Sequence, residues 1–188
     1  MHHQVFFALA AAFAALPLPA VAEVAASSES GFVSRNEVLV RATPEEAWNE
    51  MLEPANWWSG AHTYSGDSRF LVLRATVGGC FCEAIESSGD DPDGEVEHMR
   101  IIYMAPYSTL RMSGGLGPLQ SEAVTGVLTM TLTPDGEMTR IGWDYVVGGY
   151  SRMPLAELAP LVDQVIREQL LRLAARLGTV MDPASRRP

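Results

Sequence analysis

The chain has 188 residues, with 13 basic against 23 acidic side chains, a formal net charge of -10 and 47% hydrophobic residues. This acidity excludes nucleic acid and an anionic membrane surface as main partners, because both demand a positive footprint; solubility accounts for it. The length suits one domain with a substantial core, and neither an internal repeat nor a long low-complexity linker marks a second.

The chain opens "MHHQVFFALAAAFAALPLPAVAEVAA". An apolar run from Val5 to Leu16, a Pro-containing break and the small-x-small site Ala20-Val21-Ala22 predict a secretory signal peptide over residues 1–22, with His2 and His3 where Lys or Arg normally stands. The run of about 12 residues falls short of the roughly 18–20 needed to span a bilayer, so no stable membrane anchor is expected after cleavage. The protein is therefore expected to be periplasmic or secreted. Residues 23–31, "EVAASSESG", are expected to form a flexible tether, residues 32–180 the domain and residues 181–188 a disordered tail.

"FVSRNEVLVR" (Phe32–Arg41) predicts a strand that leads into a helix at Pro44. Thr43 is placed as N-cap, Pro44 takes the first helical position and Glu46 completes a capping box. The helix stops near Glu53-Pro54, and "ANWWSGAHTYSGD" follows as a short second helix or turn. Short runs bounded by Gly, Pro and Asp then predict strands: "SRFLVLRATV", "GCFCEAI", "GEVEHMRIIYM" and "YSTLRMS", with "ESSGDDPDGE" as a solvated turn. In the next strand Leu128, Met130 and Leu132 alternate with Thr129, Thr131 and Thr133, one face core and one face wet. "TPDGE" turns the chain into a return strand with Ile141, Trp143, Tyr145 and Val147 on one side. Apolar residues from Leu158 to Leu177 at three- and four-residue spacing predict a long amphipathic helix ended by Gly178. An antiparallel sheet with one apolar face and a helix able to cover it make an α+β fold.

This order of elements, with "TPEEAWNEM", the "GG" at Gly78-Gly79, "GEMTRIGWDYVVGGY" and "LAPLVDQVIREQLLRLAARL", resembles the SRPBCC superfamily of START-like, helix-grip proteins. The superfamily includes polyketide cyclases and dehydratases, lipid-transfer domains and homologues of the activator of Hsp90 ATPase. "WWSGAHTYSGD", "GGCFCE" and "LGPLQSEAVTGVLTMTL" look like a bacterial subgroup of it. The resemblance covers Phe32 to Gly178. It implies a helix-grip fold: a curved antiparallel sheet of six to seven strands around the long C-terminal helix, two short helices after the first strand, and a cavity that binds a small apolar or amphipathic molecule. Three activities follow from it: ligand binding, a cyclase or dehydratase reaction, and protein interaction of the Hsp90-activator kind, which export disfavours. Function lives in sites grafted on such folds, so the residues must decide.

Cys80 and Cys82 stand one residue apart, and in a strand they share a face. Parallel side chains about 6.6 Å apart cannot close a disulfide, which wants its Cβ atoms about 3.8 Å apart, so an internal bridge is not expected unless the strand bulges or turns there. Small packing residues, a redox-active or intermolecular thiol pair, and a soft-metal site stay open. The last needs histidine partners, for which only His62 and His98 remain, and neither a CxxC nor an HxH motif supports it, so no metal site is expected.

Glu83 shares the opposite face with Phe81 and Ile85, which the resemblance turns toward the cavity. A carboxylate there must be paired or have a raised pKa, which makes Glu83 the candidate acid/base or ligand anchor; alternatively it pairs with Arg74 or Arg111. Trp58, His62 and Tyr64 lie in a loop expected to border the cavity mouth, one of Trp57 and Trp58 anchoring to the core. Phe81, Met130, Trp143 and Tyr145 are placed on the concave wall. Tyr103 is added to the wall although "EVEHMRIIYMA" does not alternate cleanly. "SGGLGPLQ" (Ser113–Gln120) is a loop placed to gate a cavity. It is not a phosphate loop, and no hydrolase triad, zinc-protease or nucleotide-binding motif occurs, so no cofactor is expected.

Overall fold

The computed structural model describes residues 24–87, 89 and 91–181. The predicted signal peptide and all but the first residue of the predicted tail lie outside the described residues. Strands β1 (Val24–Ser28) and β2 (Gly31–Val40) form an antiparallel hairpin in which Ser28 faces Gly31 and Val24 faces Ser34. The segment expected as a tether is therefore a strand. Without it the outer edge of β2 would present a row of unpaired backbone groups, and the small Ala and Ser side chains of β1 let it lie along that edge.

Helix α1 (Pro44–Met51) starts as expected: Thr43 accepts from the Glu46 amide, Glu46 accepts from the Thr43 amide at 2.8 Å, and Pro44 opens the first turn. The predicted second helix resolves into three 3-10 turns, Pro54–Asn56, Gly60–His62 and Ser68–Phe70. Strands β3 (Leu71–Leu73), β4 (Cys80–Ile85), β5 (Gly94–Ala105), β6 (Thr109–Ser113), β7 (Ala123–Asp135) and β8 (Met138–Tyr150) follow, with a 3-10 turn at Gly117–Ser121. Helix α2 (Leu155–Arg176) and strand β9 (Thr179–Met181) close the described chain.

All nine strands join one antiparallel sheet in the order β1-β2-β8-β7-β6-β5-β4-β3, with β9 on β2. The curved sheet and its C-terminal helix are those of a helix-grip α+β fold; β1 and β9 raise the strand count above the six to seven expected. Alternation in β7 and β8 holds: Leu128, Met130, Leu132, Ile141, Trp143, Tyr145 and Val147 are all buried. Strand β5 breaks its alternation twice. Phe81 faces Met99 while Cys82 faces Glu97, which leaves His98 as an extra residue; Ile101 faces Met112 while Tyr103 faces Arg111, which leaves Ile102 over. Such bulges bend a strand and re-aim side chains.

Helix α2 shows two apolar stripes. Leu155, Ala159, Ile166, Leu170, Leu173 and Ala174 are buried in the core, whereas Leu158, Val162 and Val165 are half-buried and Leu161 is exposed. Asp163 lies in the buried stripe, where it accepts from Ser34 at 2.5 Å and Asn36 at 2.9 Å. Gln169, also buried, accepts from the Ser59 amide at 2.8 Å. These bonds fix the rotation of α2 on the sheet and decide which stripe remains uncovered. No helix among the described residues is long and apolar enough to cross a membrane.

Gly126 of β7 lies where Tyr145 passes to reach the loop after β6, and a Cβ there would overlap the Tyr145 hydroxyl and the Gly114 carbonyl. Overpacking of this kind costs about 1–3 kcal/mol. Gly126→Ala is therefore expected to lower the denaturant midpoint by that amount with an unchanged slope, as measured by urea unfolding followed by circular dichroism.

Candidate functional site

Beside the uncovered stripe of α2 lies a half-open cavity of about 510 Å³. Leu158, Leu161, Val162, Val165 and Ile166 form one wall; Leu116, Gly117 and Pro118 form another; Trp58, His62, Thr63, Tyr64 and His98 form the third. The lining is apolar apart from this third wall, the pattern of a site that holds an apolar body and orients it by a few polar groups.

Glu83 has no solvent exposure. Its carboxylate accepts from the Ser65 amide at 2.5 Å, from the Tyr64 amide at 3.1 Å and from His98 Nε2 at 2.9 Å. Burial pushes the carboxyl up, but the hydrogen bonds from Ser65, Tyr64 and His98 outweigh it and hold Glu83 below the ordinary carboxylate value. For His98, burial opposes the charged form more than the Glu83 contact favours it, so the imidazole sits below its ordinary value. At neutral pH the pair is a carboxylate and a neutral imidazole. An ionised carboxylate only accepts, so the His98 proton sits on Nε2 and the lone pair is on Nδ1. A cavity-lining histidine with its tautomer fixed by a buried carboxylate is a hydrogen-bond acceptor or a base.

Tyr64 is tied to this pair, while the other polar groups are held by partners of their own. Tyr64 donates its hydroxyl to Gln120 Oε1 at 3.0 Å and to the Gly117 carbonyl at 3.2 Å, and its ring lies 5.9 Å from that of His98. Gln120 donates to the Glu97 carbonyl at 2.7 Å. His62 meets Glu168 of α2 at 3.1 Å, and Trp58 donates its indole N–H to the His62 carbonyl. Tyr145, under the floor, donates to the Gly114 carbonyl and accepts from the Leu116 amide, both at 3.1 Å; burial pushes its hydroxyl up to about 12.

Of the residues singled out in the sequence, Trp58, His62 and Tyr64 line the cavity, and Glu83 lies behind His98 rather than in the lining. Neither Arg74 nor Arg111 is its partner: Arg74 approaches Glu95, and Arg111 binds Thr129 and lies over Tyr103. Five of the expected wall residues do not line the cavity. Phe81 is one layer below, with its ring centroid 5.2 Å from Trp58 and 5.1 Å from His98. Met130, Trp143 and Tyr145 are core: all three are buried, with the Trp143 ring against Trp57 and the Tyr145 ring against Phe32. Tyr103 is half exposed, turned to the opposite face by the bulge at Ile102. Trp57 is the anchor of its pair, against Trp143 with 5.6 Å between centroids. His98, the 116–118 loop and the outer stripe of α2 are the lining residues that strand alternation does not reveal.

Cys80 and Cys82 form a disulfide, contrary to the expectation from an extended strand. The register shift opposite Phe81 is the exception that expectation required, and the two Cα atoms are 5.4 Å apart. A loop this short restricts the unfolded chain by only on the order of 1–2 kcal/mol. The bond lies on the outer face of β4 in a polar concavity of about 340 Å³ with Arg74, Arg100, Glu95 and Glu97. The two sulfurs and a Glu95 oxygen lie within 4.8 Å of one another, but bonded sulfurs offer no thiolate to a metal.

Comparison with solved structures identifies the fold. The chain matches the Mll3558 protein from Rhizobium loti at 20% identity and TM-score 0.56, covering 77% of this chain and 96% of that one. It matches the Aha1 dimer from Colwellia psychrerythraea at 14% and 0.51, covering 77% and 95%. It matches the di-domain ARO/CYC StfQ from the steffimycin biosynthetic pathway at 13% and 0.54, covering 79% of this chain and 51% of that one. The chain shares the helix-grip, START-like fold of these structures. No family model and no curated protein matches its sequence. Likeness at these identities carries the START-like architecture and leaves the chemistry to the residues.

Two outcomes test the pair. Glu83→Gln replaces one acceptor oxygen by an N–H₂ that faces a donor, and is expected to cost about 1–3 kcal/mol in urea unfolding. The lowered values of both groups mean that the unfolded chain binds protons first as pH falls, so stability falls with pH: first below 6.5, the ordinary value of His98, and again below 4.5, that of Glu83. A thermal-unfolding series across this range is expected to show both steps in the native chain and to lose the first in His98→Asn.

Proposed function

We propose that this chain is an exported START-like domain that binds a small apolar or amphipathic molecule in the cavity between α2 and the loops at Trp58–Tyr64 and Leu116–Pro118. One observation carries the reading: an apolar cavity of about 510 Å³ whose polar wall holds a neutral, carboxylate-backed histidine. The uncovered stripe of α2 would take the apolar body. His98 Nδ1 would accept a hydrogen bond from a hydroxyl or N–H at the ligand's polar end, with Tyr64 and His62 beside it. The run Val5–Leu16 and the site Ala20-Val21-Ala22 support export, and a disulfide between the two cysteines of the chain suits an oxidising compartment.

The Glu83–His98 pair also favours a second reading, an enzyme of cyclase or dehydratase type. His98 Nδ1 would take a proton from a carbonyl-bearing substrate, and Glu83, as the positioning residue, would stabilise the imidazolium that forms. Two proteins of similar fold come from biosynthetic settings, StfQ and the putative protein DynU16 of the dynemicin biosynthetic locus. Protein interaction of the Hsp90-activator kind is the weaker reading, since export removes the chain from a cytosolic partner.

Native mass spectrometry of protein purified from its own compartment, followed by organic extraction, tests the leading reading. The expected result is a polypeptide beginning at Glu23 with a co-purifying small molecule, lost when Val162→Trp fills the cavity. A clean apo mass that persists after incubation with lipid and polyketide panels overturns it. His98→Gln separates the two functions: a binder keeps most of its affinity for the apolar body, whereas a catalyst keeps binding and loses turnover by about 10²–10⁴-fold.

A further inference from the structure

The disulfide has no part in the functions above, yet the topology places it directly behind their site. It spans Phe81, whose ring lies against His98 and Trp58, both cavity residues. It also spans the point where β4 changes register against β5 and leaves His98 as the extra residue. The loop it closes is too short to act mainly as a staple of the unfolded chain. The two cysteines, 7% and 5% exposed, line a polar concavity with Arg74 and Arg100, and this is the side from which a thiolate would have to reach the sulfurs.

We propose that Cys80–Cys82 is a redox-active disulfide, opened by a dithiol reductant, and that its opening resets Phe81 and His98 at the cavity wall. One thiolate of the reductant attacks one sulfur of the pair, forms a mixed disulfide and expels the other cysteine as a thiolate, which takes up a proton. The second thiolate of the reductant then attacks its own sulfur in the mixed disulfide and releases the remaining cysteine. Two electrons and two protons pass to the protein, and the dithiol becomes a disulfide. In the reduced chain the Cys80 and Cys82 Cα atoms, now 5.4 Å apart, are free to move toward the roughly 6.6 Å of an extended strand. Phe81 lies between them, so the movement reaches His98 and Trp58 through ring contacts.

The consequence for a ligand rests on the cavity reading, so the readouts are the thiols and the histidine, which respond whether or not the cavity binds anything. The mature protein is treated with dithiothreitol in native buffer, alkylated with iodoacetamide and weighed, while the imidazole resonances of His98 and the indole resonance of Trp58 are followed by NMR. Two alkyl groups per chain are expected with circular dichroism unchanged, together with shifted His98 and Trp58 resonances that return on reoxidation. The variant with both Cys80→Ser and Cys82→Ser is expected to show the resonances of the reduced chain. Resistance of the bond until denaturant is added overturns the redox assignment. Reduction that leaves His98 and Trp58 unmoved, or a double variant with the oxidised spectrum, overturns the coupling.

Discussion

The cavity depends on one buried carboxylate. Glu83 lies on β4 with no exposure, a position that normally disfavours a charge, and it stays ionised because three donors converge on its two oxygens. Two of those donors are successive backbone amides, so the carboxylate is the seat on which the Tyr64–Ser65 turn rests. The third is His98. From Tyr64 the bonding continues through the hydroxyl to Gln120, from Gln120 to the Glu97 carbonyl, and along the chain to His98. The result is a closed ring of hydrogen bonds around the polar end of the cavity. Burial strengthens the Glu83–His98 bond at the inner end of this ring, while the bonds through the Tyr64 hydroxyl and Gln120 lie at its exposed end.

A second buried polar group does for the helix what Glu83 does for the loop. Asp163 is held by Ser34 and Asn36 of β2, and Gln169 by the Ser59 amide, so α2 is pinned both to the sheet and to the start of the aromatic loop. An apolar residue at position 163 would pack comparably and would allow the helix to rotate or slide. The polar contacts specify one rotation, and that rotation leaves Leu158, Leu161, Val162 and Val165 facing the cavity instead of the sheet. The uncovered stripe is thus a consequence of where the buried carboxylate sits.

Much of the fold was legible because it rests on local signals. The capping box at Thr43 and Glu46, the alternation of β7 and β8, and the apolar spacing of α2 each report a period or a turn chemistry that neighbours in sequence determine. Strand β1 was not legible, since its Ala and Ser residues carry no strand signal and it forms by completing the edge of β2. The site was legible only in part. The loop "WWSGAHTYSG" stood out by composition, and Glu83 by its place on an inward face. His98 was hidden because a bulge carries it, and a bulge breaks the alternation that assigns faces; the irregular "EVEHMRIIYMA" was the trace of it. The disulfide is hidden for the same reason, because it spans the register shift between Phe81 and Cys82. Trp143, Tyr145 and Met130 do face the concave side, but alternation reports which side a residue faces and not what covers that side.

This displacement of the site from the sheet to its margin bears on what the fold can say about function. The sheet and the buried stripe of α2 are what a START-like architecture requires, and chains at 13–20% identity share them. The cavity of this chain is built from the loop after α1, the loop after β6 and the outer stripe of α2, elements the architecture leaves free to vary. The chemistry enters through a bulge in β5 that places a histidine against a carboxylate on β4. Neither the bulge nor the carboxylate is needed to close the sheet, and a buried ion-supporting pair costs stability wherever an apolar pair would serve. A pair kept at that cost, on a histidine that lines an apolar cavity, is an argument about function that the fold alone does not supply.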